Sequence, residues 1–284
     1  MPDQAASWSI PQQMHKKDKS KATSGNVNVK SATRVLDIFE YFDEVRIPAT
    51  IREVSDALGY PYSSATALLK NLVNIGYLEY DATRKTYFPS IRISLLGNWI
   101  EPGKLPVREL HKLLKYVSDE TACTLILTVP SGVHAQYVKV LQANTDIRYY
   151  IKPGSRKLMA FSTAGRVMLA EMPENKSRAL VEQVLQENQH EWAETADEIM
   201  AELQKIRRRG YALYTGLVTP KVSMLAMPIR MAQYPQSVAI GLAAPSDYLR
   251  ANKQAFIDII KSAIHDAGFD KTKGNGELIN ARSS

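Results

Sequence analysis

Residues 51–81 read IREVSDALGYPYSSATALLKNLVNIGYLEYD, and the order of caps, turns and apolar positions within them decides the N-terminal fold. Thr50 and Glu53 have the spacing of a capping box that opens a helix, and Ile51, Val54, Ala57 and Leu58 give that helix one buried stripe. Gly59 stops it. Pro61 stands where a first helical residue is tolerated, and Ala65, Leu68, Leu69, Leu72 and Val73 form the inward face of a further helix that ends near Gly76. Two helices joined by a tight glycine-containing turn are therefore predicted.

Upstream, Ser31 is a candidate N-cap, and Val35, Ile38, Phe39 and Phe42 recur on one face of a helix that ends before Pro48. Downstream, Tyr77 to Tyr80 and Thr86 to Phe88 have the period of strands and flank Asp81, Ala82, Thr83, Arg84 and Lys85, a hairpin with a basic tip. Such a hairpin is a wing. Ile91, Ile93, Leu95, Leu96 and Trp99 continue as a short apolar helix up to Pro102, Gly103 and Pro106, where the domain boundary is placed.

The rest of the chain mixes strands and helices. An amphipathic helix carries Leu110, Leu113, Leu114 and Val117. Strands are expected around 124–129, 134–141 and 147–151, and helices over 162–171, 175–188 and, behind a second capping box of Thr195 and Glu198, to Arg209. Three more strands, near 211–214, 222–230 and 237–243, precede a last helix over 249–267. This order predicts an α/β domain with an antiparallel-rich sheet flanked by helices, and an α+β chain as a whole. The expected organisation is a disordered basic tail (1–28), a winged helix-turn-helix (29–90), a linker helix (91–104), the α/β domain (105–272) and a disordered tail (273–284).

Composition narrows the functional classes. The 284 residues carry a formal charge of +7, which suits a polyanionic partner without proving one. Cys123 is the single cysteine; it lies in a predicted strand with Leu125 and Leu127 and reads as a buried structural thiol, so neither an intrachain disulfide nor a thiolate metal site is expected. The five histidines, His15, His111, His134, His190 and His265, lack metal-ligand spacing. Neither a nucleophile elbow, a phosphate-binding glycine loop nor a dinucleotide fingerprint is present. No catalytic residues, metal or cofactor are predicted. No apolar run approaches the ~20 residues of a membrane span, and a reducing cytoplasm is the expected compartment.

A recognition helix must bury one face and offer the other, short and polar, to base edges in the major groove. Here that face is Ser63, Ser64, Thr66, Ala67, Lys70 and Asn71. Arg34 on the first helix and Arg84 with Lys85 on the wing are the candidates for phosphate contacts, Lys70 suits either role, and Thr50 is a further candidate for DNA contact. Each of these residue types is common on any solvated surface; their ordered combination is what points to double-stranded DNA. In the second part, Ser162, Thr163, Ala164 and Gly165 stand at a helix start, where exposed amides and the positive end of the helix attract carboxylates. An ordinary cap followed by a packing glycine is the competing reading.

The stretch 51–81, with Tyr87, Leu96 and Gly97, resembles the winged helix-turn-helix of the IclR-type regulators. The resemblance extends through nearly all of residues 29–270: Gly154, Ser162 to Gly165, Leu169 and Ala170, then Gly210, Tyr211, Ser223, Ala226 and Pro228 are similar to that family's effector-domain signatures. It implies a GAF-like effector-binding domain, a homodimer or dimer of dimers on a palindromic operator, and a ligand wall from the hairpin of Tyr214, Ser223 and Met224. Members that bind small keto acids have an acidic side chain at the position aligned with Tyr214 and a thiol at that of Met224. The aromatic ring and thioether here, joined by Met159 and Phe161, imply a more apolar carboxylate, for instance an aromatic or hydroxy-substituted one. Ala67 replaces a common basic residue on the recognition helix, and Leu158 and Ala160 replace a usual proline and histidine. A winged helix that serves protein contacts and no longer reads DNA therefore stays open at this point.

Overall fold

The computed structural model describes residues 29–96, 106–143, 151, 153–187, 193–231 and 237–270. The two expected tails, the linker beyond residue 96 and the strand expected at 147–150 lie outside them. The chain divides into two compact units, residues 1–100 and 101–284.

The first unit is built from α1 (Lys30–Val45), α2 (Ile51–Leu58), α3 (Tyr62–Asn74), β1 (Leu78–Asp81), β2 (Thr86–Pro89) and the short α4 (Ile91–Leu95). The capping box of α2 is complete: the Glu53 amide donates to the Thr50 hydroxyl and the Thr50 amide donates to the Glu53 carboxylate at 2.7 Å. Gly59 closes α2 in the left-handed conformation that suits a residue without a side chain. Ile38 and Phe42 of α1, Val54 of α2, Leu69 and Leu72 of α3, and Leu78 and Tyr87 of the wing form one core. Ala49 pairs with Tyr87 as an isolated bridge, which sews the segment before α2 onto the wing.

Several boundaries differ from the sequence reading. α1 begins at Lys30 with Val29 at the cap position and no side-chain cap, so Ser31 lies inside the helix. Pro61 is the cap residue of α3 and Tyr62 its first helical residue. Ser55, not Ala57, joins Val54 as a buried position of α2, because its hydroxyl donates to the Tyr60 carbonyl inside the turn. α4 is capped by Ser90, whose hydroxyl also donates to the Gly76 carbonyl.

The second unit centres on a six-stranded antiparallel sheet of order β5-β4-β3-β8-β7-β6. Its strands are β3 (Thr124–Ser131), β4 (His134–Leu141), β5 (Arg156–Leu158), β6 (Ala212–Thr215), β7 (Val222–Ile229) and β8 (Val238–Pro245); its helices are α5 (Val107–Thr121), α6 (Thr163–Glu171), α7 (Glu174–Glu187), α8 (Ala196–Arg209), α9 (Ser246–Ala251) and α10 (Lys253–Asp266). Alternation along the strands splits the core in two. One face carries Ile126, Tyr137, Ala226 and Ala239 against α6, α7 and α8. The other carries Leu125, Leu127, Leu225 and Ile240 against α5, α9 and α10. The short β5 was not foreseen, and the single last helix is two, divided at Asn252.

Candidate functional site

In the first unit, α3 turns Ala65, Leu69 and Leu72 inward and leaves Ser63, Ala67, Lys70 and Asn71 exposed. Thr66 is half-buried, and its hydroxyl donates back to the Tyr62 carbonyl at 2.8 Å. Arg34 reaches from α1 to donate to the Ser64 hydroxyl at 3.0 Å, with its guanidinium 5.0 Å from the centre of the Tyr60 ring. Tyr60 in turn donates to Asp37; burial first, then this acceptor, pushes its phenol well above the usual tyrosine range. Thr50 is occupied by its capping box. Of the nine candidates for DNA contact, then, Arg34, Ser64, Thr50 and Thr66 already serve the scaffold. Ser63, Lys70, Asn71, Arg84 and Lys85 are presented outward.

The wing tip is shaped by Asp81, whose carboxylate accepts from the amides of Thr83 and Arg84 at 2.8 and 3.1 Å. Lys85 follows in the left-handed region at φ 55°. The Arg84 side chain is 77% exposed, and its 3.9 Å approach to Asp81 is a loose surface contact that leaves its charge available to a phosphate.

In the second unit, Ser162 caps α6, its hydroxyl accepting from the Gly165 amide at 3.2 Å. Met159, Phe161, Ala164 and Met224 share one apolar cluster, with Tyr214 packed against it. Ser162 and Thr163 are wholly buried beside them. The helix start is therefore an ordinary cap whose residues pack into the core. Ser223 is not brought together with the others. It follows the alternation of β7, opposite in sense to Met224, and its hydroxyl shares a 2.7 Å hydrogen bond with Thr215, to which Arg250 of α9 donates. Adjacent strand residues cannot face the same wall.

Residues that sequence reasoning missed complete the cluster. Arg166, in the first turns of α6, has a side chain only 2% exposed; its Nε donates to the Ala160 carbonyl at 2.7 Å, and it is paired with Glu194. Its guanidinium lies 4.9 Å from the centre of the Tyr214 ring. The Tyr214 hydroxyl donates to Glu202 at 3.0 Å, and Glu202 also takes Arg209 at 3.1 Å and Lys205 at 3.3 Å. Burial works against the Arg166 charge, but Glu194 and Tyr214 outweigh it and raise its pKa further. The available signal was one charge in the apolar run Thr163 to Ala170, a helix without a polar face. Cys123 is buried, with its thiol pushed up to about 11 by burial, which makes it a poor nucleophile. Among the described residues no group of histidine, cysteine and carboxylate side chains is arranged to hold a metal, and no helix is long and apolar enough to cross a membrane.

Capped helix, glycine turn, polar-faced helix and basic hairpin define a winged helix-turn-helix of the DNA-binding kind, followed by an antiparallel α/β domain. The IclR helix-turn-helix model matches residues 31–82, and the model of the bacterial transcriptional regulator IclR C-terminal domain matches residues 104–268. The chain belongs to the IclR family of DNA-binding transcriptional regulators. Similar proteins include the probable transcriptional regulator SauR of Cupriavidus necator, 22% identical over 76% of this chain and 86% of that one. The HTH-type regulator XynR of Escherichia coli K12 is 25% identical over 71% and 80%. Among solved structures, Thermotoga maritima IclR covers 84% of this chain and 98% of its own with a TM-score of 0.55 at 16% identity. Pseudomonas aeruginosa HmgR covers 86% and 100% with a TM-score of 0.51 at 22% identity. These structures share the fold.

Proposed function

We propose that the chain regulates transcription by reading a palindromic operator with α3 and the wing, under the control of a small organic carboxylate bound at the start of α6. The observation that carries the DNA part is the outward set of Ser63, Lys70, Asn71, Arg84 and Lys85 on a rigid scaffold that uses its other polar groups internally. Lys70 and Asn71 reach base edges, while Arg84 and Lys85 hold phosphates.

The operator is read by a homodimer, so its half-sites lie about one helical turn apart. The exposed apolar side chains Leu36 of α1 and Ile91 and Leu95 of α4 are available to such an interface. Two such dimers pair in the tetrameric form.

The effector is a carboxylate with an apolar body. Met159, Phe161 and Met224 supply soft apolar surface, and Tyr214 adds an aromatic face. Binding favours one arrangement of the reading heads over another and thereby changes operator affinity. Calorimetric titration of the full chain with benzoate, phenylacetate, pyruvate and glyoxylate tests the ligand class. The two aromatic acids are expected to bind at least about tenfold more tightly than the keto acids; the reverse order would refute the apolar reading.

A further inference from the structure

We infer that Arg166 is the carboxylate anchor of the effector site, and that Glu194 is a resident counter-ion which the effector's carboxylate replaces. The inference rests on the carboxylate reading above and assigns it an atom-level partner. An arginine as deeply buried as Arg166 must keep a counter-charge, because a lone guanidinium in a low-dielectric interior is far from its hydration. That requirement is met in this structure by a side chain of the protein, and any carboxylate that presents itself at the same place meets it equally.

Two arginine–glutamate pairs hold α6, and their contrast shows which is built to stay. At the end of the helix, Glu171 receives both Nε and Nη2 of Arg230, at 2.5 and 2.7 Å, with the carboxylate side chain 13% exposed. This is the two-bond fork that makes an arginine pair specific. At the start of the helix, Glu194 meets Arg166 through Nη2 alone, and the Glu194 side chain is 41% exposed. It lies in a stretch without helix or strand, just before the capping residue Thr195. The deep partner is the cation and the outer partner is the anion, so the anion can leave toward water while the cation cannot.

The guanidinium is also fixed in the plane a ligand needs. The Ala160 carbonyl takes Nε, and the Tyr214 ring supports one face, with Tyr214 itself held by Glu202. Held this way, the outer edge of the guanidinium is turned toward Glu194, and an incoming carboxylate takes its place there. Tyr214 pairs across the strands with Met224, so the apolar body of the ligand lies beside its charged end.

Isothermal titration with matched acid and amide pairs, benzoate against benzamide and phenylacetate against phenylacetamide, tests this on the full chain as wild type, Glu194→Gln, Arg166→Met and Arg166→Lys. Thermal melts accompany each variant. The expected results are preference for acid over amide in wild type and about tenfold tighter acid binding in E194Q with amide binding unchanged. Loss of the acid preference is expected in R166M and its partial retention in R166K. A purely structural pair would weaken acid and amide alike and leave their ratio alone. An acid preference that survives in both R166M and E194Q at wild-type strength overturns the inference and leaves the carboxylate reading standing. Acid binding by E194Q but not by wild type upholds it. If neither protein binds any of the four compounds, or wild type takes amides as readily as acids, both readings fall together.

Discussion

Gly165 is the third residue of α6, and a Cβ there would stand 2.3 Å from the Met159 carbonyl oxygen and 2.4 Å from the Met159 Cα. Both obstacles are backbone, so neither can rotate aside. Gly165→Ala should cost at least ~2 kcal/mol as an overpacked site, read by urea unfolding; a variant of wild-type stability would show that the turn at Met159 is not fixed. Glu202 makes a prediction in pH. Burial tends to raise its carboxyl, and the bonds from Tyr214 and Lys205 with the nearby Arg209 charge outweigh that and hold it below the usual range. A depressed folded value contributes stability that is present above the unfolded pKa, about 4.3, and is lost as pH falls through the folded one. Melting temperatures of wild type and Glu202→Gln should therefore differ at pH 6 and converge toward pH 3. An offset that stays constant over that range would contradict the assignment. At this scale the two capping boxes and most apolar positions were legible because they depend on near neighbours, while the cap expected at Ser31 and the burial expected at Ala57 were not found. Ser223 could have been set apart by alternation alone, since it adjoins Met224 in one predicted strand, whereas the pairing of Arg166 with Glu194 across 28 positions left no local signal.

Among elements, the helix-turn-helix was readable because every signal in it is local: a capping box, a left-handed glycine, a 3.6-residue stripe. The same holds for α8, where Thr195 and Glu198 form the second complete box. Thr195→Ala should cost ~1 kcal/mol in unfolding experiments, with Thr195→Gly milder than expected from its flexibility. β5, three residues long, had no signature of its own, because it exists by pairing with His134 to Gln136 of β4. The division of the last helix at Asn252 was likewise hidden inside a continuous amphipathic pattern. For α3 and the wing, the structure separates residues that build the element from residues that it displays. Lys70→Ala is expected to weaken binding and blur selectivity. Arg84→Ala with Lys85→Ala should lower the slope of log affinity against log salt by about two, with binding reduced on all sequences alike. Fluorescence anisotropy over a salt series separates these outcomes, and an unchanged slope would remove the wing from the interface.

For the whole molecule, each unit has a core of its own among the described residues, built from α1, α2, α3 and the wing in the first and from the sheet and its helices in the second. The first places charge and hydrogen-bonding groups on an exposed helix face and hairpin; the second buries an arginine at the start of a helix. This division suits a protein that reads one polymer and one small molecule. Selection of duplexes from a random DNA pool by the full-length protein tests the central claim most directly. The account predicts enrichment of an imperfect palindrome with half-sites about one turn apart, lost when Lys70 is replaced by alanine. Recovery of all sequences alike, or of none above background, would contradict it.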